Sequence, residues 1–163
     1  MTSPSVPTLA IRVSKIGPGA AGAACHVVRQ SIAGCCALDH RNDPAILTTW
    51  LANKTPENLA AWMAAPGAVA WGAFRLDGGM VGFALLTHTR LALCYVLPEA
   101  LHQGVGRSLL NEAEAGARRL GVDVLGLEST RTAQAFYLRN GYEAVGAVRT
   151  WAGLQAQPMR KML

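Results

Sequence analysis

A mixed α/β domain is what this sequence predicts, and three observations carry the prediction. Two apolar runs, Ala68 to Leu76 and Met80 to Thr87, are joined by Asp77-Gly78-Gly79, the kind of link a tight antiparallel hairpin requires. Further on, Arg90 to Leu97, Gly104 to about Leu120 and Val122 to Leu127 read as strand, helix and strand, a crossover that makes its two strands parallel neighbours. The 163 residues suffice for one domain with a hydrophobic core and hardly for two, so residues 1–163 are expected to form a single domain.

The remaining elements follow from periodicity and punctuation. Thr8 to Val13 alternates, with Leu9, Ile11 and Val13 on one side, and gives a first strand that Gly17, Pro18 and Gly19 end. Ala20 to about Leu38 has a helical pattern. After a break at Asp43-Pro44 a second helical stretch runs through Trp50 and Leu51, and a third lies near Glu57 to Met63. In the strand Arg90 to Leu97, Leu91, Leu93 and Tyr95 alternate with Ala92, Cys94 and Val96, and Pro98 stops the run. In the crossover helix Val105, Leu109, Leu110, Ala113, Ala117 and Leu120 share one face, with Gly121 at the C-terminal stop. Thr130 to Arg139 is a further helix ended by Asn140-Gly141, and Tyr142 to Thr150 and Pro158 to Leu163 supply the last strands. Hairpins mixed with one crossover give a mixed sheet rather than a fully wound parallel one.

Composition narrows the function classes. The chain is 51% apolar and 15% charged, as a packed globular protein is. Its net charge of +5 is carried by 12 arginines and 3 lysines scattered from Arg12 to Arg160, with no run longer than Arg118-Arg119. A nucleic-acid surface concentrates such charge in a stripe or patch, so no nucleic-acid partner is expected, and an anionic small ligand fits the excess better. No stretch approaches the roughly 20 apolar residues of a membrane span, and Met1 to Val6 lacks a basic segment followed by an apolar core, so a cytoplasmic protein without a membrane partner is expected. Cys25, Cys35, Cys36 and Cys94 show no CxxC spacing and read as reduced, mostly buried thiols, and no metal site is expected.

The most informative segment is Gly104-Val105-Gly106-Arg107-Ser108, between a strand and a helix. The free N–H groups of a helix start converge there, glycine lets backbone approach an anion, and His102, Gln103, Arg107 and Ser108 can add side-chain contacts. A Walker loop is excluded, because it needs a lysine and none occurs between Lys54 and Lys161. The dinucleotide fingerprint is a nearer rival, since Glu128 follows at about the right spacing, but Leu109 occupies the place of its third glycine and only one crossover unit is present.

Tyr95-Val96-Leu97-Pro98-Glu99 followed by His102-Gln103-Gly104-Val105-Gly106-Arg107-Ser108-Leu109-Leu110 resembles the coenzyme A loop of the GNAT acetyltransferases, whose core pattern is Q/R-x-x-G-x-G/A. Ala135-Phe136-Tyr137-Leu138-Arg139-Asn140-Gly141-Tyr142 resembles the later A-x-Y-x-x-x-G-F/Y signature of the same family. The likeness covers about Val69 to Val148. It departs at Leu101, which stands at the Q/R position, and at His102, where glycine is frequent; one polar cofactor contact is thereby lost, while the amide cradle at Gly104 and Gly106 is kept.

The resemblance implies a mostly antiparallel sheet of six to seven strands, flanked by helices, with a central splayed parallel pair. It implies acetyl-CoA as co-substrate, with the pantetheine arm beside Leu93 to Val96 and the pyrophosphate on the amides of Gln103 to Ser108. Cofactor contacts are implied for Tyr95, Val96, His102, Gln103, Gly104, Val105, Gly106, Arg107, Ser108, Thr130, Ala133 and Phe136. The implied reaction is direct attack of an amine on the thioester. Tyr137 matches the tyrosine that protonates the leaving sulfur, and the Val96 amide is the oxyanion donor.

For the base, the strand Arg90 to Leu97 has no glutamate. Glu128, acting through water, is the candidate against a capping or salt-bridging role, with Asp39-His40 and His88 as further options. Cys94 has no histidine close in sequence and reads as a strand cysteine rather than a nucleophile. The expected partner is an amine acceptor, either a small molecule or a peptide, and the apolar C-terminal strand permits a homodimer. Two other readings stay open: a non-catalytic acyl-CoA-binding module of the same shape, and an NAD(P)-dependent oxidoreductase.

Overall fold

Glycine-rich turns and proline stops divide the chain into the elements that build the sheet. The structure, a computed structural model, describes residues 10–163. Strand β1 (Ile11–Ile16) is followed by helices α1 (Ala21–Cys35), α2 (Ala37–His40), α3 (Pro44–Leu51) and α4 (Pro56–Ala64). Then come β2 (Ala68–Arg75), β3 (Met80–Thr87), β4 (Arg90–Val96), α5 (Val105–Arg119), β5 (Val124–Ser129) and α6 (Gln134–Arg139). Strands β6 (Glu143–Ala144), β7 (Arg149–Trp151) and β8 (Leu154–Met162) close the chain. Pro44 and Pro56 each open a helix behind a side-chain cap: Asp43 accepts from the Ala45 amide and Thr55 from the Asn58 amide.

The strand order is β1-β2-β3-β4-β5-β8-β6, with β7 paired to β8. Among the described residues every pairing is antiparallel except β4 with β5, which α5 connects as the crossover. The expected mixed, mostly antiparallel sheet flanked by helices is present. A single parallel pair also removes the dinucleotide-binding architecture, which is built from successive parallel strands.

Several boundaries differ from the sequence expectation, each for a local reason. Among the described residues the sheet has eight strands rather than six to seven, because Tyr142 to Thr150 is not one strand. Ala152 and Gly153, at φ 49° and 85°, reverse the chain, so that Arg149, Thr150 and Trp151 pair with Ala156, Gln155 and Leu154, and the last strand begins at Leu154 instead of Pro158. The first strand runs to Ile16 because Lys15 and Ile16 pair with Trp71 and Ala70, while Thr8 and Leu9 lie outside the described residues. The long first helix breaks at Cys36 into α1 and α2. Strand β5 starts two residues late, because the Val122 amide still donates to Ala117 O at the end of α5. Leu120 caps that helix and is exposed rather than on its buried face.

The core lies on both sides of the sheet. Gly82 of β3 faces α5 so closely that a Cβ there would meet Leu109 Cδ1 at 2.7 Å, and this contact sets the N-terminus of α5 beside the end of β4. Ala84 and Leu86 share that face, as do Cys94 and Val96 through their pairing with Ala84 and Gly82. Phe83 and Leu85 point the other way, as do their partners Tyr95 and Leu93; Tyr95 looks toward Trp50, Cys36 and Asp39 of the helical block. No helix among the described residues is long and apolar enough to cross a membrane.

Candidate active site

Strands β4 and β5 pair only at Arg90 with Gly126 and Leu91 with Leu127, beyond which they part. The cause is visible in β4. Leu85 of β3 pairs with Leu93 and Leu86 with Leu91, so Ala92 is an extra, bulged residue that increases the local twist. Leu97 N–H donates to Val81 O at 2.8 Å on the β3 side, and the alternation along the strand turns the amides of Cys94 and Val96 toward the opening. Among the described residues no strand pairs with β4 along that edge past Leu91. The opening therefore offers unpaired backbone groups to an extended ligand.

At the wide end of the opening lies the glycine turn. Gly104 has φ 82°, a left-handed conformation, and caps α5 without a side-chain bond. The first helical hydrogen bond of the turn runs from Ser108 N to Gly104 O at 3.0 Å, so the N–H groups of Val105, Gly106 and Arg107 have no helical acceptor, whereas Ser108 can add only its hydroxyl. A Cβ placed on Gly104 meets nothing within 4 Å, so the turn is open on that side. His102 has φ 59°, so glycine's frequency at this position has a backbone reason. The side-chain amide of Gln103 donates to Glu99 O at 3.2 Å, and Leu101 packs against the core. Phe136 closes this region: a Cβ on Gly106 would lie 3.4 Å from its ring and 3.8 Å from Val96 Cγ2. Val96, the loop from His102 to Ser108 and Phe136 thus come together, whereas the side chain of Tyr95, also expected at the cofactor, turns to the opposite face toward Trp50.

Tyr137 is buried on α6, edge-on to Phe136 and Tyr142 at 5.2 and 5.5 Å between ring centroids. Its hydroxyl lies beside the Cys94 thiol on the α5 side of β4. Burial first, then the neighbouring Cys94, Tyr95 and Tyr142, hold its pKa well above the usual phenol value, so it keeps its proton. Burial likewise pushes the Cys94 thiol up to about 12, which removes it as a thiolate nucleophile near neutral pH. All four cysteines are free; Cys25 and Cys36 are buried and Cys35 and Cys94 only partly so.

The position of Tyr137 depends on a contact that sequence reasoning assigned differently. Asp39, offered as a base candidate, is buried on α2 and accepts from Arg131 N at 2.7 Å, Thr132 N at 3.2 Å and the Thr132 hydroxyl. Thr130 Oγ1 accepts from Ala133 N at 3.1 Å. These bonds hold residues 130–133 in a turn, and α6 therefore begins at Gln134 rather than Thr130. Thr130 and Ala133, both expected at the cofactor, are bonded to each other in that turn through the Thr130 hydroxyl and the Ala133 amide. His40 is also structural: its Nδ1 accepts from Asn42 N at 3.0 Å, which leaves Nε2 to donate to Ile32 O at 3.1 Å. His88 is exposed in the β3–β4 turn beside Gly67, at the closed end of the β4–β5 pair.

Glu128 lies near the end of β5, paired with Pro158. It projects on the face shared with Arg90 and forms ion pairs with Arg149 at 3.0 Å and Arg90 at 3.7 Å. The structure thus brings the glycine loop, Val96, Phe136 and Tyr137 together at the opening, while Glu128 faces a separate cleft on the other side.

A family model described as an acetyltransferase (GNAT) domain matches residues 34–163. No curated protein matches the chain. Among solved structures, the GCN5-related N-acetyltransferase "Aminotransferase, Class-II" from Rhodopseudomonas palustris is 25% identical, with 99% of this chain and 100% of that one covered at a TM-score of 0.82. The PaiA N-acetyltransferase from Thermoplasma acidophilum, solved in complex with coenzyme A, is 21% identical over 94% and 99% of the two chains at a TM-score of 0.77. A histone acetyltransferase HPA2 and related acetyltransferase from Corynebacterium glutamicum shares the fold at 21% identity, 93% and 96% coverage and a TM-score of 0.70. With a family match over most of its length and a sheet that opens at the parallel pair beside the glycine turn, the chain belongs to the GNAT acetyltransferase family.

Proposed function

We propose that this protein is an N-acetyltransferase that moves an acetyl group from acetyl-CoA to a primary amine by direct attack. The observation that carries the reading is the continuity of the site: amides without helical acceptors at Val105, Gly106 and Arg107 lead to unpaired strand amides at Val96 and Cys94, and these lead to the protonated Tyr137. The coenzyme A complex of the Thermoplasma relative supports the same assignment. Acetyl-CoA supplies the activated thioester. Val105, Gly106 and Arg107 hold the pyrophosphate, with Arg107 and Ser108 adding side-chain contacts. Val96 N–H donates to the carbonyl oxygen as negative charge develops on it. The Tyr137 hydroxyl gives its proton to the departing sulfur. Glu128 takes a proton from the amine through water on the other face of the sheet.

A thermal-shift titration with acetyl-CoA, using NADH as the comparison ligand, tests the cofactor. The melting point should rise with acetyl-CoA concentration alone, because only the folded state has the site. No rise with acetyl-CoA would overturn the reading. Stabilisation without turnover of any amine would favour a non-catalytic acyl-CoA-binding module, a reading to which the ion-paired state of Glu128 gives some support.

A further inference from the structure

The cleft that Glu128 faces is built almost entirely from β4, β5 and the β7–β8 hairpin. It has a volume of about 280 Å³, and its charged lining is Arg90, Arg149, Arg160 and Glu128. Gly126 and Leu127, also in its wall, are the residues that pair with Arg90 and Leu91 at the last rung before the strands part. The cleft thus ends where the opening begins. Gly126 contributes no side chain, and its partners across the sheet, Arg90 on one side and Arg160 on the other, bring their guanidinium groups over the same face.

Charge decides what such a cleft takes. Three guanidinium groups stand against one carboxylate in the lining. Glu128 is shared by Arg149 and Arg90, and the Nε of Arg160 is used by Glu143 at 3.0 Å. Each guanidinium carries five N–H donors, so among the described residues most donors around the cleft have no protein acceptor. Planar donors of this kind match carboxylate and phosphate oxygens. A polycation would meet net repulsion here, whereas a molecule with both an amine and an anionic group would be complemented at both ends.

Resting on the acetyl-transfer reading above, we propose that this cleft is the acceptor site and that the acceptor is a primary amine carrying an anionic group, of the kind an amino acid or short peptide provides. The anionic group seats between Arg149 and Arg160. In doing so it takes over guanidinium donors that Glu128 occupies in the free protein and leaves the Glu128 carboxylate to the ammonium. Ligand charge and base availability are thereby coupled: an amine without the anion leaves Glu128 ion-paired.

The test starts from protein shown by thermal shift to bind acetyl-CoA, and measures thiol release at saturating acetyl-CoA. The acceptors are amino acids and dipeptides, each matched with its C-terminal amide, and spermidine. Carboxylated members should exceed their amides in kcat/KM by about ten-fold or more, and spermidine should be the poorest. Arg149→Gln should raise KM for carboxylated acceptors about ten-fold and narrow their advantage over the amides, and should leave the acetyl-CoA melting shift intact. Amides or spermidine equal to or better than the carboxylated members would overturn the assignment. So would absence of turnover across the series in protein that acetyl-CoA stabilises, with the cofactor reading still standing. Failure of acetyl-CoA to stabilise the protein would instead remove the acetyl-transfer reading itself, and this inference with it.

Discussion

Tyr137 and Glu128 stand on opposite faces of the sheet, one on each side of the opening that follows the Arg90–Gly126 and Leu91–Leu127 pairs. Tyr137 sits by Cys94 on the α5 side; Glu128 shares the other face with Arg90. On the proposed acetyl transfer, this division would separate the two proton transfers. An amine arriving from the Glu128 side would meet the thioester in the gap and the sulfur would depart toward the Tyr137 side, so that donor and acceptor of protons would not compete for one position.

Tyr137→Phe removes only the hydroxyl and leaves the ring that packs on Phe136 and Tyr142. Turnover should fall by about 10- to 1,000-fold with acetyl-CoA affinity nearly unchanged. Steady-state kinetics beside a binding titration checks this, and wild-type turnover in the variant would remove Tyr137 from the acid role.

Gly104 combines φ 82° with open space where a Cβ would project. A valine there is strained in the backbone and puts a branched side chain at the proposed phosphate turn. Gly104→Val should therefore lose acetyl-CoA stabilisation far more than it loses intrinsic melting temperature. Should melting with and without acetyl-CoA be the same as in the wild type, the loop is only a turn.

How much of this was legible in the sequence depends on whether a residue's signal was local. Asp77-Gly78-Gly79 and the α5 face announce their elements because turn chemistry and 3.6-residue periodicity are local properties. The β7–β8 hairpin was hidden because Ala152, a poor turn former, holds positive φ there with Gly153. Asp39 and the turn at residues 130–133 are 92 positions apart, and only the fold joins them. The same holds for Arg149 and Glu128. Motif spacing singles out the glycine loop and Tyr137, whereas the guanidinium groups around Glu128 come from separate strands and have no motif.

Asp39 positions α6 without lying in the opening itself. Asp39→Ala leaves the amides of Arg131 and Thr132 without their acceptor, at a cost of about 1–3 kcal/mol, or a drop of about 2–4 °C in Tm per kcal/mol. Turnover should fall further than acetyl-CoA affinity, because the turn leads into the helix that carries Tyr137. A melt and a kcat measurement on the same preparation check both parts; a stability loss with unchanged kcat would show that α6 holds its place without this clamp.

Alkaline stability should reflect the buried thiols. Burial raises the folded-state pKa of Cys36 and Cys94 to about 12 from an ordinary value of 9.0. Between those values the unfolded chain releases protons that the folded chain retains, so the contribution is complete below pH 9 and is lost as pH rises toward 12. Urea melts across this range should show falling stability, and Cys94→Ala should flatten the fall. An identical slope in the variant would place the pH dependence on other groups.

Glu114 ties α5 to the far end of the sheet. It is buried and accepts from Lys161 Nζ at 2.7 Å and from the Tyr142 hydroxyl at 3.1 Å. Nothing in the apolar pattern of α5 marks it, since it occupies an ordinary polar position next to Ala113. Glu114→Ala leaves a partly buried ammonium and a phenol without their acceptor, and should cost about 3–5 kcal/mol. Desolvation opposes the pair's mutual attraction, so replacing both members by apolar residues of similar size should restore much of that loss. Glu114→Leu with Lys161→Met should be clearly more stable than Glu114→Ala in urea melts. If the double variant is as unstable as the single one, the Tyr142 hydroxyl rather than the ion pair is what Glu114 mainly serves, because that hydroxyl is left without its acceptor in both.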